Sequence, residues 1–437
     1  MKRRFGLLLL VWMIAAGVLP LAAQEGITLR YADWDAVTEA TEREMIAICE
    51  EQLGVTVEFE IMNPPNDVYW PTMQTMAAAQ DLPDVFAMSS GFVDEWAADG
   101  LLLNIQDYVD RDIMPDAENY FTGAFDQARY PNKTDSDMYA FPYAFVNTVL
   151  FYNQDAFDEA GLDYPSEGWT WDEFLDAAQA LTVDENNDGL MDQYGFWFYG
   201  RYAQIEPWIY QNNGDLLNAD KTQFAPDENA VEALEFLSSL VNEHGVAPRP
   251  AEMEGINQQD IFPQGLAAMW IDGSWNIDNN RAVLEGQDMR WGIGPIPRGP
   301  QWVEDTAYGW PDMLAISPFT EHPDEAWALI DCLTGPERPF ELTKPGKIPI
   351  YAPVANDEAF LETDLMPPNK DFLLTWSNYI GPNSFTPGWG EWRGYVGGAG
   401  LEGQITEVLN GNLTLAQALE NVTPIANEVL ARYYPES

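Results

Sequence analysis

Cysteine, histidine and positive charge are all scarce in this chain. Its 437 residues include two cysteines, two histidines and 20 lysines and arginines, against 71 acidic residues. So few cysteines exclude a thiol-metal cluster and a disulfide-dense scaffold. Cys49 shares an apolar helical stripe with Ile46 and Leu53, and Cys332 lies in another helical stretch. Two buried thiols are therefore favoured over a disulfide. His244 and His322 each adjoin a helix terminus, and neither falls in a catalytic or metal-binding pattern. GxSxG elbows, phosphate-binding glycine loops and HExxH patterns are missing. The formal net charge of −51 repels phosphates, so nucleic acid is excluded as a partner, and anionic membranes and polyanionic substrates are disfavoured.

Beyond residue 23 no apolar run is long enough to cross a bilayer, which takes about 20 residues. Residues 1–23 have the parts of a secretory signal peptide: the basic end Lys2, Arg3 and Arg4, the apolar stretch Leu7 to Leu19, and the small pair Ala22-Ala23. Its removal takes the charge from −51 to −54. No cysteine follows the apolar stretch, so a lipid anchor is not expected. The protein is expected outside the cytoplasmic membrane, periplasmic or extracellular.

What remains exceeds a single hydrophobic core, so two lobes are expected. Ile27 to Asp33 and Val55 to Ile61 alternate apolar and polar residues as strands do, with a helical period over Glu39 to Leu53 between them that ends at Gly54. Asp84 to Met88 supplies a third strand. This β-α-β-α-β order predicts an α/β fold with a mostly parallel sheet and helices on both faces. Thr170 with Glu173 forms a capping-box pattern. Further helices are expected over Val231 to Glu243, Pro323 to Leu333 and Leu415 to Tyr433, the last interrupted near Pro424.

Aromatic residues are abundant, with 17 Trp, 19 Tyr and 21 Phe, many in loops beside polar residues. Aromatic rings stack on the C–H faces of sugars, and Asp, Asn and Arg satisfy sugar hydroxyls. Trp34 and Asp35 follow the first strand, and Ser89 and Ser90 the third, where open α/β sheets place ligand residues. Asp272, Trp275 and Asn276 surround a Gly-Ser-Trp sequence. Trp197, Tyr199, Arg201 and Tyr202 form another aromatic-polar cluster. Trp310 follows Tyr308-Gly309. Trp389, Trp392 and Arg393 lie in a Gly-rich segment with too little apolar periodicity for a core helix. Asp184, Asn186, Asp188 and Asp192 match the start of a Ca²⁺ loop, but Gly195 stands where its bidentate Glu belongs. An Asx-rich turn is favoured there, and no other cofactor is indicated.

Several motifs carry a family resemblance: Leu82-Pro83-Asp84-Val85, Tyr139-Ala140-Phe141-Pro142, Tyr152-Asn153, Phe157-Asp158-Glu159-Ala160-Gly161, Trp171-Asp172-Glu173-Phe174, Gly273-Ser274-Trp275 and Pro323-Asp324-Glu325-Ala326-Trp327. In order and spacing the chain resembles the extracellular solute-binding proteins that feed sugars to ATP-binding-cassette importers, the maltose-binding-protein superfamily. The resemblance implies a periplasmic-binding-protein-like fold, with residues 24–143 and 296–344 in one lobe and 144–295 and 345–437 in the other. Hinge crossings would fall near Pro142 to Val146, Gly292 to Pro297 and Thr343 to Pro349, placing Asn147 at the first. A sugar or oligosaccharide would bind between the lobes, with Trp275 and Trp389 or Trp392 at positions where relatives stack sugar rings. A monomer that hands its ligand to the importer's membrane subunits, and is not itself an enzyme, is expected. Segment 86–91 lacks the Trp and Asp that maltose-binding protein carries there, so the sugar stays open. A non-sugar ligand such as a polyamine, or a secreted carbohydrate-active enzyme, are the alternatives.

Overall fold

A computed structural model describes residues 26–63, 65–131, 133–336, 344–381, 383–394 and 400–435; the signal-peptide reading of residues 1–23 lies outside them. Strand β1 (Thr28–Asp33) pairs in parallel with β2 (Thr56–Ile61) and β3 (Val85–Ser89). The intervening helix Glu39–Leu53 stops where Gly54 turns left-handed at φ 69°, a conformation that costs glycine little. This part is the predicted β-α-β-α-β unit.

The rest of the sheet corrects the expectation of mostly parallel strands. β4 (Phe141–Asn153) and β7 (Gly309–Ile316) are antiparallel to each other, and β7 is antiparallel to β3. β5 (Met269–Gly273), β6 (Trp291–Gly294) and the short β8 (Ile348–Pro349) are all antiparallel to β4. Every residue of β4 is buried. A strand covered on both faces reads as one apolar run whichever way its neighbours point, so its sequence does not reveal their direction.

β4 also changes partners along its length. Phe141 to Asn147 pair with β7 and β8, whereas Thr148 to Asn153 pair with β5 and β6. One continuous strand thus threads both halves of the molecule, changing sheets between Asn147 and Thr148.

Local signals set several helix ends. Thr170 and Glu173 form the predicted capping box at the start of helix Trp171–Ala180. Thr414 and Gln417 form another before helix Leu415–Tyr433. That helix runs unbroken through Pro424 rather than stopping there. Pro424 is exposed, so water can satisfy the carbonyl its missing N–H leaves free. Among the described residues no helix is long and apolar enough to cross a membrane.

Cys49 and Cys332 are joined in a disulfide across 283 residues of sequence, with Cα atoms 5.9 Å apart, which corrects the reading of two thiols. The bond links helix Glu39–Leu53 to helix Pro323–Thr334, which pack side by side. Periodicity placed each cysteine on a helix but carries no information on which distant helices meet.

Candidate functional site

Where β1 ends, buried Asp33 turns the chain. Its Oδ1 accepts from the backbone N–H groups of Trp34 and Asp35, at 2.5 and 3.1 Å, and so presents both side chains beyond the strand. Trp34 rests edge-on against Tyr69 and tilted against Trp70, with centroids 5.0 and 5.7 Å away, and Trp70 stacks on Phe92. Asn63 donates to the Trp34 carbonyl at 2.8 Å. From β7, Trp310 and Asp312 reach the same space because residues two apart share one strand face.

The facing wall comes from Gly273-Ser274-Trp275 at the end of β5, and each residue has a distinct task. A Cβ on Gly273 would lie 1.9 Å from the Trp275 ring, so only glycine lets the indole fold over it. Ser274 accepts at Oγ from the Asn147 N–H and donates to the Gly346 carbonyl, tying β4 to the segment before β8. Trp275 faces the cleft and lies 5.6 Å from Trp310. The Arg201 guanidinium sits over the Trp275 and Tyr202 rings, 5.2 and 5.4 Å from their centroids. Asp272 holds it there through contacts of 3.2 and 3.3 Å, while also accepting from Gln204 and the Gly273 N–H. Burial pushes Asp272 up, and Arg201 opposes that.

Trp34, Asp35, Asn63, Trp70, Arg201, Tyr202, Trp275, Trp310 and Asp312, with Ser89, Gln259, Asn276, Asn279 and Lys347, line one open cleft. Asn276 donates to the Gly273 carbonyl at 3.1 Å, and its buried Oδ1 has no hydrogen-bond partner among the described residues. Such an acceptor suits a ligand hydroxyl.

Each carboxylate on the cleft wall faces a lysine. Lys347 lies 3.0 Å from Asp35 and 2.9 Å from Asp312, and Lys344 lies 3.5 Å from Asp35. Burial alone would raise Asp35, but Lys347 and Lys344 outweigh it and hold the carboxyl well below the usual range. At Asp312 burial prevails over Lys347, and the carboxyl is raised. Behind this wall, Lys344 also meets Glu42 at 3.0 Å and Asp33 at 3.6 Å.

Of the residues singled out from sequence, Trp34, Asp35, Ser89, Trp275 and Trp310 line the cleft together. Asp272 stands behind Arg201. Ser90 donates to the Pro311 carbonyl, and Asn147 bonds Leu373 O and Ser377 Oγ, so both act in packing. Tyr199 packs against Trp197 and does not line the cleft.

Trp389, Trp392 and Arg393 are the clear departure: all three are buried in packing. Trp389 lies under Tyr202 and against Phe92, and Trp392 donates to Thr386. Arg393 pairs with Glu206 and Glu402. In the acidic loop, Asp184, Asn186, Asp188 and Asp192 accept from backbone N–H groups between Glu185 and Leu190, an Asx-turn arrangement. Among the described residues no three His, Cys, Asp or Glu side chains are grouped to hold a metal. Sequence reasoning missed Asn63, Trp70, Gln259, Asn279, Asp312 and Lys347, none of which belongs to a local motif.

A family profile for bacterial extracellular solute-binding proteins matches residues 33–338. Putative binding proteins of Brucella abortus and Brucella suis are 25% identical over 289 residues, spanning 65% of this chain and 65% of theirs. A maltotriose-binding protein of Pyrococcus abyssi is 24% identical over 322 residues, 71% of this chain and 64% of the relative. Among solved structures, an ABC substrate-binding protein from Listeria monocytogenes in complex with cycloalternan superposes with a TM-score of 0.80 at 22% identity. It covers 94% of this chain and 100% of that one. The sugar-binding protein MalE of Xanthomonas citri superposes at 0.72 with 21% identity, again over 94% and 100%. The fold is that of these binding proteins, and the chain belongs to the bacterial extracellular solute-binding protein family.

Proposed function

We propose that this protein captures a neutral carbohydrate outside the cytoplasm and delivers it to an ATP-binding-cassette importer. The observation that carries this reading is the cleft's composition: Trp34, Trp275, Trp310 and Tyr202 with amide side chains between them, and two carboxylates, Asp35 and Asp312, that are both already engaged by Lys347. Aromatic faces and uncharged polar groups match the two surfaces of a sugar. A polyamine would require uncompensated carboxylates, and Asp35 and Asp312 both face a lysine instead. A glycosidase needs open space between two carboxyl groups for the reacting sugar carbon. Here the Lys347 ammonium fills that space, which favours a binding protein over an enzyme.

Ligand contacts are assigned to Trp34, Asp35, Ser89, Trp275 and Trp310, joined by Arg201 and Asn276. Relatives with sugar names, among them the maltotriose-binding protein, support the ligand class. The division into lobes 24–143 with 296–344 and 144–295 with 345–437, closing about β4 and the segment before β8, is part of the same reading. So are secretion through residues 1–23 and action as a monomer. Binding energy would shift a population of open molecules towards closed ones that the importer recognises.

A thermal-shift screen of the mature protein against neutral mono- and oligosaccharides, uronates and diamines tests it, with hits checked for breakdown. A ligand at 100 times its dissociation constant adds about 2.7 kcal/mol. Stabilisation by an intact neutral sugar is expected. Stabilisation by diamines alone, or release of cleaved glycan, would overturn the reading.

A further inference from the structure

Lys347 is buried, 3% exposed, yet its ammonium reaches the cleft wall. An ammonium has three protons to donate. Three acceptors surround this one: Asp35 at 3.0 Å, Asp312 at 2.9 Å and the Tyr143 hydroxyl at 3.2 Å. Its donors are thus spent inside the protein, whereas each carboxylate, with about four acceptor positions, retains capacity for a ligand hydroxyl.

Its place in the chain adds a second observation. The preceding residue, Gly346, donates from its N–H to Asp278 at 3.2 Å and accepts from Ser274 at 2.6 Å, both beside the β5 turn that carries Trp275. A Cβ on Gly346 would lie 2.3 Å from the Ser274 carbonyl, so the approach admits only glycine. The following residue, Ile348, pairs with Phe145 of β4 in the other half. Lys347 therefore sits where the chain passes from one sheet to the other, and from there it holds carboxylates on β7 and just beyond β1.

Resting on the carbohydrate reading above, we infer that Lys347 is a positioning residue: it orients Asp35 and Asp312 as hydroxyl acceptors and ties them to the hinge crossing. The charged and titratable groups packed around it are Asp33 and Asp35 from the end of β1, Glu42 from helix Glu39–Leu53, Tyr143 from β4, and Asp312 from β7. Asp278 from helix Asn276–Val283 and Lys344 from its own segment complete the set. Removing the ammonium leaves the carboxylates facing one another, so they take up protons more readily and lose their fixed orientation. A ligand that binds between the sheets would then meet acceptors no longer held to the crossing.

The test compares wild type, K347R and K347M by NMR titration of side-chain carboxyls in the unliganded full chain, and by calorimetric affinity for the best sugar of the screen. In K347M the Asp35 titration should move up, sugar affinity should fall by about tenfold or more, and that affinity should become pH-dependent. K347R should restore all three. An Asp35 titration unmoved in K347M, or an equal, pH-flat affinity loss in K347M and K347R, would overturn the assignment. If K347M does not fold, the K347M/D312N double variant keeps the local charge balance, and Asp35 should still titrate higher than in wild type. Should wild type bind no sugar, the carbohydrate reading falls, while the carboxyl titration still decides the role of Lys347.

Discussion

Trp275 reaches the cleft because Gly273 yields room for its ring and Ser274 anchors the turn. Replacing Trp275 by Ala should cost about 1.5 kcal/mol of binding, roughly tenfold in affinity, with little change in thermal midpoint. Trp392→Ala should do the reverse, destabilising by about 3–5 kcal/mol while leaving intrinsic affinity near wild type, since that indole is wholly buried. Melting curves paired with calorimetric titrations separate the two. Asp278 gives a pH signature. Burial, aided by the charge of Asp35 and opposed by Lys347, Arg281 and Lys370, raises its carboxyl to about 7. The folded state therefore binds this proton more tightly than the unfolded state. Its contribution is fully present below about pH 4 and is lost as pH rises through about 7. Asp278→Asn, which can still accept from the Gly346 N–H, should raise the thermal midpoint relative to wild type above about pH 7 and leave it unchanged below about pH 4. That Trp34, Trp275 and Trp310 line the cleft was legible from a place just after the first strand, from the Gly-Ser-Trp motif and from the Tyr-Gly-Trp sequence after a hinge crossing, respectively. The burial of Trp389, Trp392 and Arg393 was not, because Tyr202 and Glu206 come from a helix distant in sequence to cover a segment that reads as a glycine-rich loop.

β4 joins the two sheets that carry the cleft residues, since it pairs with β7 in one and with β5 and β6 in the other. The first three strands and their helix were legible from alternation and a glycine stop. The antiparallel pairs were not, because thirteen consecutive buried residues carry no record of neighbour direction. The disulfide was hidden for a related reason: Cys49 and Cys332 each satisfy a helical stripe, and only the packing of helix Glu39–Leu53 beside helix Pro323–Thr334 brings them together. A loop of 283 residues closed by this bond corresponds to roughly 5–6 kcal/mol in the chain-entropy account. Reduction, or paired Cys→Ser substitutions, should lower the thermal midpoint clearly while sugar affinity below the transition is retained. An unchanged midpoint after verified reduction would contradict a stabilising bond. Such a bond also suits the oxidising, extracytoplasmic setting of the family.

The molecule combines a strongly acidic chain, at −51 formal charge, with a cleft whose carboxylates Asp35 and Asp312 are both engaged by a lysine. Net charge read from sequence excluded nucleic acid but left cationic ligands open. Only the placement of Lys347 between Asp35 and Asp312 turns the reading towards a neutral ligand, and no sequence motif marks that lysine. The separation also sets an expectation for salt. A neutral ligand held by stacking and hydrogen bonds should bind with nearly the same affinity at low and high ionic strength, whereas a cation drawn by the acidic surface should weaken steeply. The most direct test is calorimetric titration of the best neutral sugar and of a diamine at two ionic strengths. Salt-insensitive binding of the intact sugar, with no heat from the diamine, is the predicted result. Salt-sensitive diamine binding without sugar binding would contradict the account.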